Sequence, residues 1–379
     1  MRKYTVLFAL ACIACALAAP SAQPSRGLIV GIYDEQSSLG NPDWAFPQYK
    51  SLGVEALRAN LYWNGVAKRR PANAVNPADP AYDWTTYDAF VKRTTENRIK
   101  VVFSIVFTPT WAIAPGEKKK SNRAPARMRD LQNFAFAAAK RYSGSFRPDP
   151  DGEPLPAVRF WLAWNEPNNP VFLFPQFRYA GGGKYRPVSP AVYAKMCNAI
   201  FTGVHLTGIR GEKVACGVTA PRGNNSGAQP RSSLSPIPFL RGMKKAGARF
   251  DAYAHHPYYG HRTESPRTRP PLRGTAITLA NLDVLIKELT RLYGPKRVWL
   301  TEYGYQTNPP DRSFGVSFVK QARYLTQAFA IARAHPRIDM MIWFLVKDEA
   351  RIGNGWQSGL YTASGRRKPA WQAFRRMPK

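Results

Sequence analysis

The chain has 379 residues, 44% of them hydrophobic and 21% charged, a balance that supports a packed core and excludes general disorder. Its 55 Lys and Arg against 24 Asp and Glu give a net charge of +31, a field that attracts anionic partners and is screened by salt. The length admits two or three domains of ~150 residues, or one large unit such as a (β/α)8 barrel, which takes ~250 or more.

The N-terminus carries Arg2 and Lys3, an apolar run from Tyr4 to Leu17, and then Pro20-Ser21-Ala22. Charge, apolar run and small residues, in that order, describe a cleaved signal peptide. The run is shorter than the ~20 residues of a spanning helix. Residues 1–22 are therefore read as a signal peptide, with Ala18, Ala19 and Ala22 as candidate last residues. Residues 23–379 are read as one domain, secreted or held at the cell wall, with no further membrane segment. Lipoprotein processing at Cys15 is disfavoured, because Cys12 stands where an aliphatic residue is expected. Cleavage removes Arg2, Lys3 and no acid, leaving +29. A solvated basic surface and capture of an anionic polymer both accommodate that charge. Only Cys197 and Cys216 survive cleavage. In an oxidising compartment they are a candidate disulfide, and they are too few for a zinc site.

Short apolar runs follow at Leu28–Ile32, Ala56–Tyr62, Lys100–Phe107, Val158–Trp164, Lys213–Val218, Phe250–His255, Arg297–Thr301 and Met340–Leu345. Most are continuous rather than alternating, as in parallel strands buried on both faces. Helical stripes lie between them. Tyr87, Phe90 and Val91 follow Asp83, and Ser189-Pro190 opens a helix carrying Tyr193 and Met196. Leu282, Ile286, Leu289 and Tyr293 share a face, as do Phe318, Ala322, Leu325 and Phe329. Eight strands alternating with helices predict an α/β (β/α)8 barrel in a single domain. An open doubly wound sheet is the runner-up, but neither GxGxxG nor GxxxxGK[ST] is present. The long polar segments Pro115–Arg129, Arg222–Pro236, Gly260–Gly274 and Asn308–Gly315 all follow strands, on the side where barrels place their sites.

Two strands run directly into a glutamate. Phe160-Trp161-Leu162-Ala163-Trp164 leads to Asn165-Glu166-Pro167, and Val298-Trp299-Leu300-Thr301 leads to Glu302-Tyr303-Gly304. These are the fourth and seventh strands, whose C-terminal ends open on one face. Facing carboxylates are what glycosidic cleavage needs: one protonates the leaving oxygen, the other attacks the anomeric carbon or activates water.

These motifs resemble the retaining glycoside hydrolases of clan A, most of all families 5 and 39, along the whole mature chain. The resemblance implies that Glu166 is the acid/base and Glu302 the nucleophile. It also implies that Asn165 binds the sugar hydroxyl beside the anomeric carbon. Arg58, on the second strand, would keep the nucleophile ionised. His256 and Tyr258, from His255-His256-Pro257-Tyr258, would contact the two carboxylates, leaving His255 to packing. Trp343 would lie under the bound sugar, and Trp63, Trp111 and Trp356 are candidates for stacking subsites. The charge of Glu302 is expected to raise the pKa of Glu166. Neither a cofactor nor a metal is expected, since HExxH and acid-rich loops are missing. The expected partner is a carbohydrate, including an anionic polysaccharide captured by Lys118, Lys119, Lys120, Arg262 and Arg269. No specific nucleic acid is expected, and the protein should be monomeric. The whole reads as a secreted retaining β-glycosidase or transglycosylase. The alternative is a non-catalytic, basic wall- or glycan-binding protein on the same scaffold.

Overall fold

The structure is a computed structural model that describes residues 27–271, 274–353 and 355–379. The signal peptide read at residues 1–22, with Cys12 and Cys15, lies outside the described residues. Eight strands close a barrel: β1 (Ile29–Tyr33), β2 (Ala56–Tyr62), β3 (Lys100–Val106), β4 (Phe160–Ala163), β5 (Lys213–Thr219), β6 (Ala252–His255), β7 (Arg297–Tyr303) and β8 (Ile338–Phe344). Each is parallel to the next, and β8 returns to β1. A helix of eight or more residues follows every strand, from Pro42–Leu52 after β1 to Pro369–Arg376 after β8. The expected (β/α)8 barrel is the fold.

Two packed layers follow from the strand period of two. Ala56, Val102, Leu162, Ala215, Ala252, Trp299 and Ile342 fill the barrel interior. Leu57, Val101, Trp161, Cys216, Val298 and Met341 face the helices. Cys197, in helix Ser189–His205, is joined to Cys216 of β5 by a disulfide, with 6.0 Å between the Cα atoms. The strand limits read from sequence are off by at most two residues at either end, and Ala56–Tyr62 is matched at both; pairing rather than apolar content decides the ends. An element that the apolar pattern does not reveal is a hairpin of Phe177–Gly181 and Lys184–Pro187 after β4. Its side chains are mostly polar and solvent-exposed, so no buried face marks it.

Candidate active site

The backbone breaks its own period at both glutamates. Along β4, Trp161 and Ala163 face the helices and Leu162 the interior, so Trp164 should turn inward. Instead its φ is 72°, and its ring stays in the helix-side layer with Nε1 donating to Phe172 O at 2.7 Å. Glu166 also has a positive φ, 37°. Left-handed backbone is costly for residues with a Cβ and persists where the surroundings impose it. Here it brings Asn165 and Glu166 to the mouth together. On β7 the device is a bulge. Leu300 and Tyr303 both face the helices with two residues between them, and the pairing with β8 shifts at that point. The extra residue re-aims Glu302 toward the cavity.

Around Glu302 the contacts are charged. Arg58, fully buried on β2, donates from Nη1 to Glu302 Oε2 at 3.0 Å and to Thr301 O at 2.9 Å. Its Nη2 donates to Asn165 Oδ1, so one guanidinium positions a residue beside each glutamate. Tyr258 Oη donates to Glu302 Oε1 at 2.9 Å. Burial, with Glu302 beside it, raises the pKa of this phenol and keeps it protonated.

Around Glu166 the contacts are neutral. Asn169 Nδ2 donates to Oε2 at 3.0 Å, and His256 Nδ1 lies 3.0 Å from Oε1. Burial pushes His256 down to about 3, so the ring is neutral. Arg58 Nη1 faces its Nε2 at 3.2 Å and can only donate, so the ring proton sits on Nδ1 and points at Glu166. Burial also raises Glu166 itself to about 7, against the opposing effects of Asn169 and Arg58. The expectation that Glu302's charge does this is corrected: desolvation is the cause. His255 serves packing, held between Thr219 Oγ1 at 2.8 Å and Ile277 O at 3.0 Å.

Both glutamates open on a cavity of about 810 Å³. The tryptophan expectations need correction. Trp343 is fully buried and donates to Ser358 O at 3.0 Å; Met341 and Trp343 face the helices, whereas Phe344, one residue on, turns into the cavity. Trp63 is also fully buried, packed on Phe134 and Trp111, and takes no part in the cavity. Trp111 donates to Ala67 O under the Arg70 guanidinium and borders a separate depression of about 620 Å³. Of the four, Trp356 lines the cavity, 44% exposed, its ring stacked near Tyr258 and edge-on to Phe344. Sequence reasoning missed Tyr33, Asn169 and Phe344. Tyr33 and Phe344 are register partners at the ends of β1 and β8, and strand alternation counted from Ile342 would have found Phe344.

Among the described residues, one donor set has the composition of a metal site: His256 and carboxylate oxygens of Glu166 and Glu302 lie within 4.8 Å of one another. However, the His256 nitrogen facing Glu166 carries a proton, and Arg58 already supplies the positive charge at Glu302. The residues present do not fit a metal.

Solved structures share this barrel. A family 39 glycoside hydrolase from the gut symbiont Bacteroides cellulosilyticus WH2 matches with a TM-score of 0.62 and 20% identity, over 92% of this chain and 63% of that one. A glucosidase from Croceicoccus marinus matches at 0.63 and 15%, over 94% and 68%. A fungal β-1,4-galactanase matches at 0.58 and 16%, over 92% and 99%. At such identities the likeness is one of fold. The chain spans 63% of the length of the family 39 enzyme. Residues 250–379 match a family of unknown function, DUF5722, and no curated protein matches the sequence.

Proposed function

We propose that this protein is a secreted retaining glycoside hydrolase that cleaves β-linked poly- or oligosaccharide by double displacement. The observation that carries the reading is the pair of glutamates at the ends of β4 and β7, with carboxylate oxygens within 4.8 Å. That spacing suits retaining enzymes, whose carboxyl groups stand ~5–5.5 Å apart, and is short of the ~6.5–9.5 Å that inverting enzymes need for a water. The barrel shared with known glycosidases supports it.

Glu302, held by Arg58, attacks the anomeric carbon. Glu166, protonated near neutral pH, gives its proton to the glycosidic oxygen as that bond breaks. Water then loses a proton to Glu166 and attacks the same carbon, releasing the Glu302 carboxylate and restoring the protonated Glu166. Asn165 is turned by Arg58 to present its amide Nδ2 to the sugar hydroxyl beside the anomeric centre. Tyr258 releases Glu302 Oε1 when that oxygen becomes an ester. A sugar acceptor in place of water would make the same step a transglycosylation.

The test is turnover of an aryl β-glycoside panel by the purified protein, with NMR of the first-formed product. A β-anomer is expected. An α-anomer would remove double displacement. No turnover on any member, with polysaccharide still retained, would favour the non-catalytic binding protein.

A further inference from the structure

The charge of this protein is unevenly answered by acids. Elsewhere around the barrel mouth some cations have acid partners: Arg123 pairs with Glu117, Arg127 with Asp130, Arg269 with Asp283, and Lys368 with Asp348. Of the cations expected to capture anions, Lys119 binds the carbonyls of Ile113 and Ala114 and Arg262 that of Arg312. Neither they nor Lys118, Lys120 or Arg269 line the cavity. The loops after β4 and β5 differ. Residues 167–188 and 220–235 contain Arg178, Lys184, Arg186, Arg222 and Arg231, and no Asp or Glu. Among the described residues none of the five forms a direct ion pair, although the charge of Glu264 reaches Arg222, and Arg222 and Arg231 line the cavity.

These two loops are built as one surface beside Glu166. Asn168, fully buried two residues after it, accepts from Ala220 N at 2.8 Å and donates to Leu234 O at 2.8 Å, tying down both ends of the β5 loop. Arg222 is braced by Nη1 donating to Tyr259 O at 3.0 Å. A Cβ on Gly260 would stand 2.7 Å from its Nη2, so the glycine makes room for it. A Cβ on Gly227 would stand 2.3 Å from that of Tyr185, so the loop packs closely under the hairpin. There Tyr179 and Tyr185 are cross-strand partners, 62% and 42% exposed, with Arg178 and Arg186 paired beside them.

The acid must touch the glycosidic oxygen, so the leaving part of the substrate lies beside Glu166, against these loops. We infer that the leaving-group side of the cleft accepts a chain of acidic sugars, with Arg222 and Arg231 binding the carboxylate or sulfate of the first units. The hairpin carries the chain onward. Guanidinium forks match such groups in two-point geometry, and tyrosine faces take the CH side of a sugar ring. This inference rests on the glycosidase reading.

The experiment compares kcat/KM of the purified protein on matched β-linked oligosaccharides: uronate-containing against carboxyl-reduced, and sulfated against desulfated, with aryl glycosides as the control for catalysis. The acidic member of one pair should be favoured by about tenfold or more, the equivalent of one ion pair worth ~1.4 kcal/mol, and raised salt should shrink the margin. Arg222→Gln with Arg231→Gln should bring the ratio near one. Arg178→Gln with Arg186→Gln should lower it for longer chains but not for disaccharides. Aryl glycoside turnover with no acidic preference in either pair would overturn the inference and leave the glycosidase reading standing. Failure on every substrate would overturn that reading itself. Salt-sensitive retention of single-stranded DNA through these five residues, with cleavage indifferent to acidic sugars, would assign the surface to nucleic acid instead.

Discussion

The ends of β4 and β7 deliver the same residue type into the same cavity by different means and into different surroundings. At β4, two left-handed residues carry Glu166 to a place with only neutral donors, Asn169 and His256. At β7, a bulge sets Glu302 against the buried guanidinium of Arg58 and the hydroxyl of Tyr258. Desolvation with neutral neighbours favours the protonated carboxyl, and a facing cation favours the carboxylate. Two chemically identical side chains thus stand in unlike surroundings, one raised to about 7 by burial and one set against a fixed cation, and an acid and a nucleophile become distinguishable.

Exchange of the two roles is the sharpest way to break that contrast. Glu302→Ala should abolish turnover, and azide should restore it with a glycosyl azide of inverted configuration. Glu166→Ala should lose about 10²–10⁴-fold on poor leaving groups and much less on activated aryl glycosides, with azide giving the retained product. NMR of the two azides reads the assignment, and swapped configurations would reverse it.

Removing the cation tests the β7 side. Arg58→Met strips Glu302 of its charge partner and leaves Asn165 without its donor. Breaking a buried pair costs ~3–5 kcal/mol, so thermal unfolding should move down markedly. Turnover should fall equally for good and poor leaving groups, because the impaired step is the attack by Glu302. A loss confined to poor leaving groups would place Arg58 in the service of Glu166.

The smallest effect is the pH response of the β4 side. Glu166 must be protonated for the first step, and its value of about 7 predicts that kcat/KM declines above pH 7. A folded-state value raised from an ordinary 4.5 also means that the buried charge costs stability above pH 7. That cost is relieved as pH falls from 7 toward 4.5. Glu166→Gln should therefore stabilise the fold more at pH 8 than at pH 4.5, by up to about 3 kcal/mol. Denaturant melts at the two pH values measure the difference; an equal effect at both would mean that burial does not govern this carboxyl.

The sequence by itself determined the architecture and both glutamates. Continuous apolar runs such as Ala56–Tyr62 and Lys100–Val106 are what strands buried on two faces require, and an apolar strand ending in a carboxylate stands out by composition alone. Arg58, Asn165, His256 and Tyr258 were legible only through the resemblance to clan A glycoside hydrolases, whose motifs they match residue by residue. Tertiary structure alone decided which way the aromatic residues face. Trp343 and Phe344 are neighbours of similar hydrophobicity, and one residue of register sends the first into the helix layer and the second into the cavity. It also decided the pKa of Glu166, since desolvation depends on what packs around a group and not on what adjoins it in the chain. The same holds for the charge. Composition counted the cations, but only the folded loops showed which of them pair with acids and that Arg222 and Arg231 line the cavity of Glu166.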